Sequence, residues 1–429
     1  MSNPDNSIYS RALQGITAPF RDLAFFTDAG LPLTINPQSR ASLVRVSLRG
    51  AGALSLTGVQ VGVRGDTGEP IRLASAEVRT SARPDERVAL ALAGEPKSAR
   101  VPLVEVARSD DPWVIIDLGQ AYDLVQIKLW SAAMPRQGWA PLTVEVSEDG
   151  SSWTAIYSTA DRLAAQAAHV VSVGAQGTLA AEDPAAWTVF IDVVQLLVGG
   201  HRTQAEKRLK LSELPTDTIA AIRQAISQAF LNPMQLDWNH HGVRRTFKYW
   251  TKGEKVKYIK AANEFIDNLA RELSPHVCLG FGSVLSLVRD QDLIPHDDDL
   301  DIIIAFDRNE CPTIREGLQR VVDFAGRHDY KVREPFPKSH RQLVRKGTKK
   351  VDVFVSLHDN GRISWFPQKR DSLAMTDVFP PIRASMLGVE CLVPANPLRY
   401  LESVYGPTWS KPDPSFAHNW RTKAYDDIW

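Results

Sequence analysis

Residues 293–304, "LIPHDDDLDIII", place four aspartates in five positions and run straight into isoleucines. Like charges this close repel, and a carboxylate beside buried apolar surface is costly unless something pairs with it. The pattern calls for a cation. If a strand opens at the third aspartate, Asp299 and Asp301 point to one face with α-carbons about 6.6 Å apart. Two carboxylates aimed the same way can share a hard divalent cation, for which oxygen ligands are preferred.

Other uses of such a cluster fit less well. An EF-hand loop needs a glycine and a closing glutamate where Ile302 and Arg308 stand. The D-D-x-x-D spelling of prenyl-transferring enzymes lies on a helix, whereas Pro295 and the three isoleucines predict a loop entering a strand. A bare solvated acidic turn is the plain reading of an isolated acidic run, but its neighbours argue against it. In "GFGSVLSLVRD" a strand ends at Gly282-Ser283 and a helix begins, so free backbone N–H groups offer an anion or phosphate site. Arg289 closes that helix with a fork of donors. A phosphate cradle next to a metal site suits chemistry on a phosphate ester or anhydride. The third acid expected of such a site is Asp352 in "KKVDVFVSL", a lone carboxylate in an apolar strand that needs a partner. The basic run "KSHRQLVRKGTKK", residues 338–350, directly precedes it, and Arg341, Arg345 or Lys349 can meet an anionic donor.

The elements that must position these residues fall into two groups. From about 41 to 175, short runs such as "SLVRVSLRG", "LTGVQVGVRG", "WVIIDLG", "LVQIKLW", "LTVEVSEDG" and "WTAIYS" alternate apolar and polar residues. They predict an antiparallel β-sandwich or barrel. After "EDPAAWTVFIDVVQLLVGG" the pattern turns to mixed α and β, with helices at "PTDTIAAIRQAISQAF" and "TIREGLQRVVDFAGRH" and strands at "LDIIIAF" and "KVDVFVSL". The expected division is an N-terminal extension (1–40), a sandwich (41–185), a helical linker (186–250) and a catalytic domain (251–429). With 429 residues the chain exceeds what one core usually supports. Lys plus Arg equals Asp plus Glu at 50 each, so no global charge recruits nucleic acid or an anionic membrane. Cys278, Cys311 and Cys391 lack metal-ligand spacing. With no apolar leader and no stretch long enough to span a bilayer, the expectation is a soluble, cytoplasmic protein with no transmembrane segment.

"FGSVLSLVRDQDLIPHDDDLDI" resembles the signature of the LicD family, to which fukutin and fukutin-related protein belong, within the nucleotidyltransferase superfamily. The likeness continues in "VDVFVSL" and in "VPANPLRYLESVYGPTWSKPD", where Tyr405-Gly406, Trp409 and Pro412 match, while His296 stands where a tryptophan is usual. The resemblance implies transfer of a phospho-alcohol (ribitol phosphate, glycerol phosphate or phosphocholine) from a CDP-activated donor to the hydroxyl of a glycan or glycolipid acceptor. Asp299, Asp301 and Asp352 would be catalytic and would bind the metal, Mg²⁺ (or Mn²⁺), with Asp297 as a candidate outer ligand. Gly282, Ser283, Arg289, Arg345 and Lys349 would hold the donor. Nucleotidyl transfer onto a sugar, or glycan binding without catalysis, is the alternative. "DDPWVIIDLGQAYDLVQIKLW" with "PLTVEVSEDGSSWTAIYS" resembles a discoidin (coagulation factor 5/8 type C) sandwich, through Trp113, Asp117, Leu118, Gly119 and Trp153. Such domains often bind glycans at their end loops. Trp113 and Trp153 are expected in its core, and Trp139 in an exposed loop.

Overall fold

The computed structural model describes residues 8–24, 32–65, 68–92, 102–131, 141–178, 183–239, 242–333, 339–345, 350–412 and 425–428. It divides the chain into two compact units, Met1–Arg245 and Thr246–Trp429. Among the described residues, no helix is long and apolar enough to cross a membrane.

The first unit opens on antiparallel β structure. Ten strands form one hydrogen-bonded network, with Ser39–Leu48, Trp113–Ser131 and Ala51–Arg64 at its centre. Alternation explains the core: Val44, Val46, Val114, Ile116, Ile127 and Leu129 are wholly buried. The runs "WVIIDLG" and "LVQIKLW" are a single strand, not two. Between them Gly119, at φ +83°, sits where the register against Ser39–Leu48 shifts, so the glycine makes a bulge instead of a turn. The first half of this strand pairs with Leu43–Ser47 and Glu77–Thr80, and the second half with Leu56–Val63.

This network ends at Ser158, and a short hairpin of Asp237–Asn239 and Gly242–Arg244 follows later in the unit. Thr159–Thr178, read from sequence as part of the sandwich, is a helix. Its alanine content favours that state, and it lacks the period-two alternation of a strand. With Pro184–Val198, capped by Asp183 accepting from the Ala186 N–H at 2.9 Å, and with Thr216–Ile226, it builds a second core. Leu13 and Ile16 of the helix Ile8–Thr17 are buried in that core. Trp113 and Trp153 are only half-buried, contrary to expectation. The Arg45 guanidinium lies 4.2 Å from the centre of the Trp153 ring. Trp139 falls outside the described residues.

In the second unit, a mixed sheet orders its strands Val277–Leu279, Leu300–Asp307, Val351–Asp359, Arg341–Arg345 and Tyr330–Arg333. Leu300–Asp307 and Val351–Asp359 run parallel, joined through the helix Ile314–Arg327 and the hairpin between Tyr330 and Arg345. Ile302, Ile303 and Ile304 are fully buried, as a central strand covered on both faces requires. One face packs on Lys252–Glu272 and Ile314–Arg327, whose Phe265 and Phe324 rings meet at 5.7 Å. The other face packs on the helical segment 281–290 and on Pro397–Tyr405. The long helix is fixed at its start by a capping box between Thr251 and Glu254.

Gly317 lets Ile314–Arg327 approach the two parallel strands. A Cβ there would come within 2.5 Å of Val355 Cγ1 and 3.2 Å of the Phe306 ring. Gly317→Ala gains about 1 kcal/mol of helix propensity but overpacks the core at a cost of about 1–3 kcal/mol. The expected outcome is a lower urea midpoint with an unchanged slope. A raised midpoint would show that the sheet yields freely there.

Candidate active site

The aspartate loop is pinned by backbone hydrogen bonds before any side-chain chemistry is considered. The Phe247 and Lys248 N–H groups donate to the carbonyls of Asp297 (2.8 Å) and Pro295 (2.7 Å). The Leu300 N–H donates to the Tyr258 phenol oxygen at 2.9 Å, and the Asp301 N–H to Ser283 Oγ at 2.8 Å. Tyr258 in turn donates to the Lys350 carbonyl, so one buried phenol ties the start of both central strands together.

The strand begins at Leu300, so Asp299 lies in the loop before it and not on the strand with Asp301. Its carboxylate instead joins those of Asp297 and Asp298. Each of the three offers an oxygen, all within 4.8 Å of one another, a group that could hold a metal ion. Asp301 sits beside Asp352 in register on the neighbouring parallel strand, which puts both side chains on one face. Gly282 makes room for the pair of Asp297 and Asp301. A Cβ at Gly282 would lie 3.1 Å from Asp297 Oδ2 and 3.6 Å from Asp301 Oδ2. The preceding residue, Phe281, has φ +38°, a strained value for a bulky side chain. Tyr400 Oη accepts its N–H at 2.9 Å, and Phe354 packs on its ring.

Electrostatics divide the carboxylates into two kinds. Burial first, then the charge of Asp299, pushes Asp297 and Asp301 well above the ordinary carboxylate range. Both residues keep some exposure, yet their carboxyl groups are packed closely enough by protein for desolvation to dominate. Asp352 is held below its ordinary value. Burial alone would raise it, but the hydrogen bond and charge of His340, together with Lys350 and Gln342, outweigh that effect. His340 Nε2 lies 3.1 Å from Asp352 Oδ2, and Gln342 Nε2 donates to the same oxygen at 3.3 Å. The His340 ring stacks on Phe354 with centroids 4.5 Å apart. Oδ1 of Asp352 is buried and has no hydrogen-bond partner among the described residues. Lys350 Nζ reaches Asp299 Oδ2 at 2.5 Å. Burial would lower the Lys350 pKa, but Asp299 and Asp352 raise it.

The site therefore assembles Asp297, Asp299, Asp301, Asp352, Gly282 and Ser283. Arg289 is turned aside: its guanidinium bonds Asp290 through two nitrogens, at 3.0 and 2.8 Å. Arg345 is not brought to the carboxylates. Three positions beyond Gln342 on its strand, it takes the opposite face, 3.4 Å from Glu264 and 5.9 Å from the Tyr330 ring centre. There it lines a shallow cleft with Tyr258, Phe265 and Val351. Lys349 lies outside the described residues. Asp298, Lys350, His340, Gln342 and Tyr258 are the site residues that sequence reasoning did not single out. For Lys350 a signal existed, since it precedes Asp352 by two and shares its face.

Residues 276–396 match the family described as LicD/FKTN/FKRP, nucleotidyltransferase domain. The resemblance to the LicD family stands, across this segment of the chain. Residues 98–179 match a NedA-like, galactose-binding domain, in keeping with the discoidin-type likeness. No curated protein matches the chain. The LicD match supports a phosphotransferase-type, glycan-modifying enzyme in general.

An acidic set fits a hard cation when one carboxylate oxygen is left for it, and Asp352 Oδ1 is such an oxygen. His340 and Gln342 occupy Oδ2 and so orient Oδ1. Partners one step behind a ligand typically contribute 10–100-fold in metal affinity. His340→Ala is therefore expected to weaken Mn²⁺ binding by about 10–100-fold at unchanged far-UV circular dichroism. Titration with the ion by electron paramagnetic resonance measures it, and wild-type affinity in the variant would remove His340 from this role.

Proposed function

We propose that the chain is a metal-dependent transferase that moves a phospho-alcohol from a CDP-activated donor to a glycan hydroxyl. The observation that carries this reading is the buried Oδ1 of Asp352, without a hydrogen-bond partner among the described residues, on a strand whose register sets Asp352 beside Asp301 inside the LicD-like segment. Asp297, Asp299, Asp301 and Asp352 would hold Mg²⁺ or Mn²⁺. When bound, the ion supplies neutralisation of the diphosphate and of the departing CMP.

The chain's own residues do the positioning. Ser283 and Tyr258 fix the strand that carries Asp301, and Gly282 keeps the space in front of Asp297 and Asp301 open. Arg289 meets donor phosphate only by exchanging its bond with Asp290, its neighbour in sequence. Asp352 accepts two hydrogen bonds on one oxygen and is a weak base, so its first task is to bind and orient. Transfer with a good leaving group depends on positioning more than on strong base help. The galactose-binding-type segment is read as the part that engages the glycan, by analogy with the domain it matches.

Asp299→Asn and Asp301→Asn are each expected to lower metal-dependent CMP release by more than about 100-fold, beyond the range typical of residues one step behind a ligand. Each variant keeps its volume and its melting profile. Chelation inactivates the wild type, and added Mg²⁺ restores it. Incubation with CDP-ribitol, CDP-glycerol and CDP-choline, read by product mass, identifies the donor. A product carrying CMP itself, formed from CTP with pyrophosphate release, would replace this reading with nucleotidyl transfer.

A further inference from the structure

Lys350 meets the aspartate cluster through a direct ion pair with Asp299. Its ammonium lies 2.5 Å from Asp299 Oδ2, and both side chains are largely withdrawn from water, at 18% and 6% exposure. The backbone of Lys350 is held by Tyr258, whose phenol donates to the Lys350 carbonyl, and the ammonium stands at the end of a four-carbon stem with rotatable bonds. A divalent ion on Asp299 would bring a double positive charge to the oxygen that the ammonium now holds. Metal–oxygen contacts of about 2.0–2.6 Å leave no room for both on the same lone pairs, and two cations at that separation repel.

The displaced ammonium needs another anionic partner close by. Asp352 does not provide it, because Oδ2 already accepts from His340 and Gln342 and Oδ1 is the oxygen left for the metal, and Asp297 and Asp298 belong to the same metal-capable group as Asp299. A diphosphate arriving with the metal brings several acceptor oxygens to the same spot. We propose that Lys350 is a built-in counter-cation of Asp299 that turns to the donor diphosphate when metal and nucleotide bind. The inference rests on the metal-dependent reading above, and it deepens that reading by coupling the two binding events through one side chain. It makes Lys350 a competitor of the metal and a ligand of the nucleotide, so its removal moves the two affinities in opposite directions. A merely structural lysine would not do that.

The test uses the full chain and two probes, Mn²⁺ alone and CDP at saturating Mn²⁺, each followed by calorimetry. Lys350→Met is expected to bind Mn²⁺ alone about 3–10-fold more tightly and CDP at least about 10-fold more weakly, each factor of ten corresponding to about 1.4 kcal/mol. Lys350→Arg keeps the charge and should retain Mn²⁺ affinity near wild type with most of the CDP affinity. Should the methionine variant fail to fold, Lys350→Gln serves for the same pair of measurements. Two affinities that stay unchanged, or that fall together, would overturn the inference while leaving the metal site in place. A wild type that binds no Mn²⁺ would overturn the metal-dependent reading itself, and this inference with it.

Discussion

Mutual repulsion of carboxylates is the constraint around which the second unit is built. Asp297, Asp298, Asp299, Asp301 and Asp352 crowd one end of two parallel strands, and left alone they would force that end apart. Opposing them are apolar packing and backbone hydrogen bonds that do not depend on charge. Ile302, Ile303 and Ile304 are wholly buried, so the register of the strand carrying Asp301 is locked, since a slip of one residue would turn its side chains to the wrong face. Tyr258 and Ser283 take the N–H groups of Leu300 and Asp301, and the Phe247 and Lys248 amides hold the loop before them. The strained φ of Phe281 is accommodated at the same point, between two glycines and under Tyr400.

Charge is then shared unequally. Asp297 and Asp301 are pushed toward protonation by burial and by Asp299, whereas Asp352 is kept ionised by His340, Lys350 and Gln342. Register neighbours on adjacent strands thus have opposite tendencies. Environments that drive like groups apart in this way give them different roles. Asp352 is a fixed anion with one oxygen already committed and one without a hydrogen-bond partner among the described residues. Asp301 is a carboxyl whose charge is disfavoured by burial and by its acidic neighbours, led by Asp299.

Much of this could be read from the sequence, because it depends on local pattern. The acidic loop entering an apolar strand, the small residues at Gly282-Ser283 and the solitary Asp352 all follow from spacing of two or from turn chemistry. What escaped depends on distant pairings. Tyr258 lies 42 residues from Leu300, and Lys350 lies 51 residues from Asp299, separations that no periodicity reports. His340 reaches Asp352 because of the antiparallel pairing of Arg341–Arg345 with Val351–Val353, and the same pairing sends Arg345 to the other face. Arg289 was open to a simpler reading, since Asp290 beside it is its partner. The helix Thr159–Thr178 was missed for a different reason. A β-rich run on its N-terminal side suggested continuity, although alanines at positions 160, 164, 165, 167 and 168 carry no strand signal.

Which oxygen of Asp352 is occupied bears on chemistry as well as on architecture. A carboxylate that accepts two hydrogen bonds on Oδ2 has its negative charge already stabilised, so it takes a proton reluctantly. A strong general base at this position would need the reverse, a carboxylate short of donors and raised in pKa. The donors instead come from the strand that pairs with it, and the histidine among them is stacked on Phe354, so they are part of the folded core and not incidental contacts. The sheet therefore spends its polar contacts on keeping Asp352 charged and aimed. That favours a site whose difficulty is holding anions and a cation in order, and in which deprotonating the incoming hydroxyl is the lesser demand.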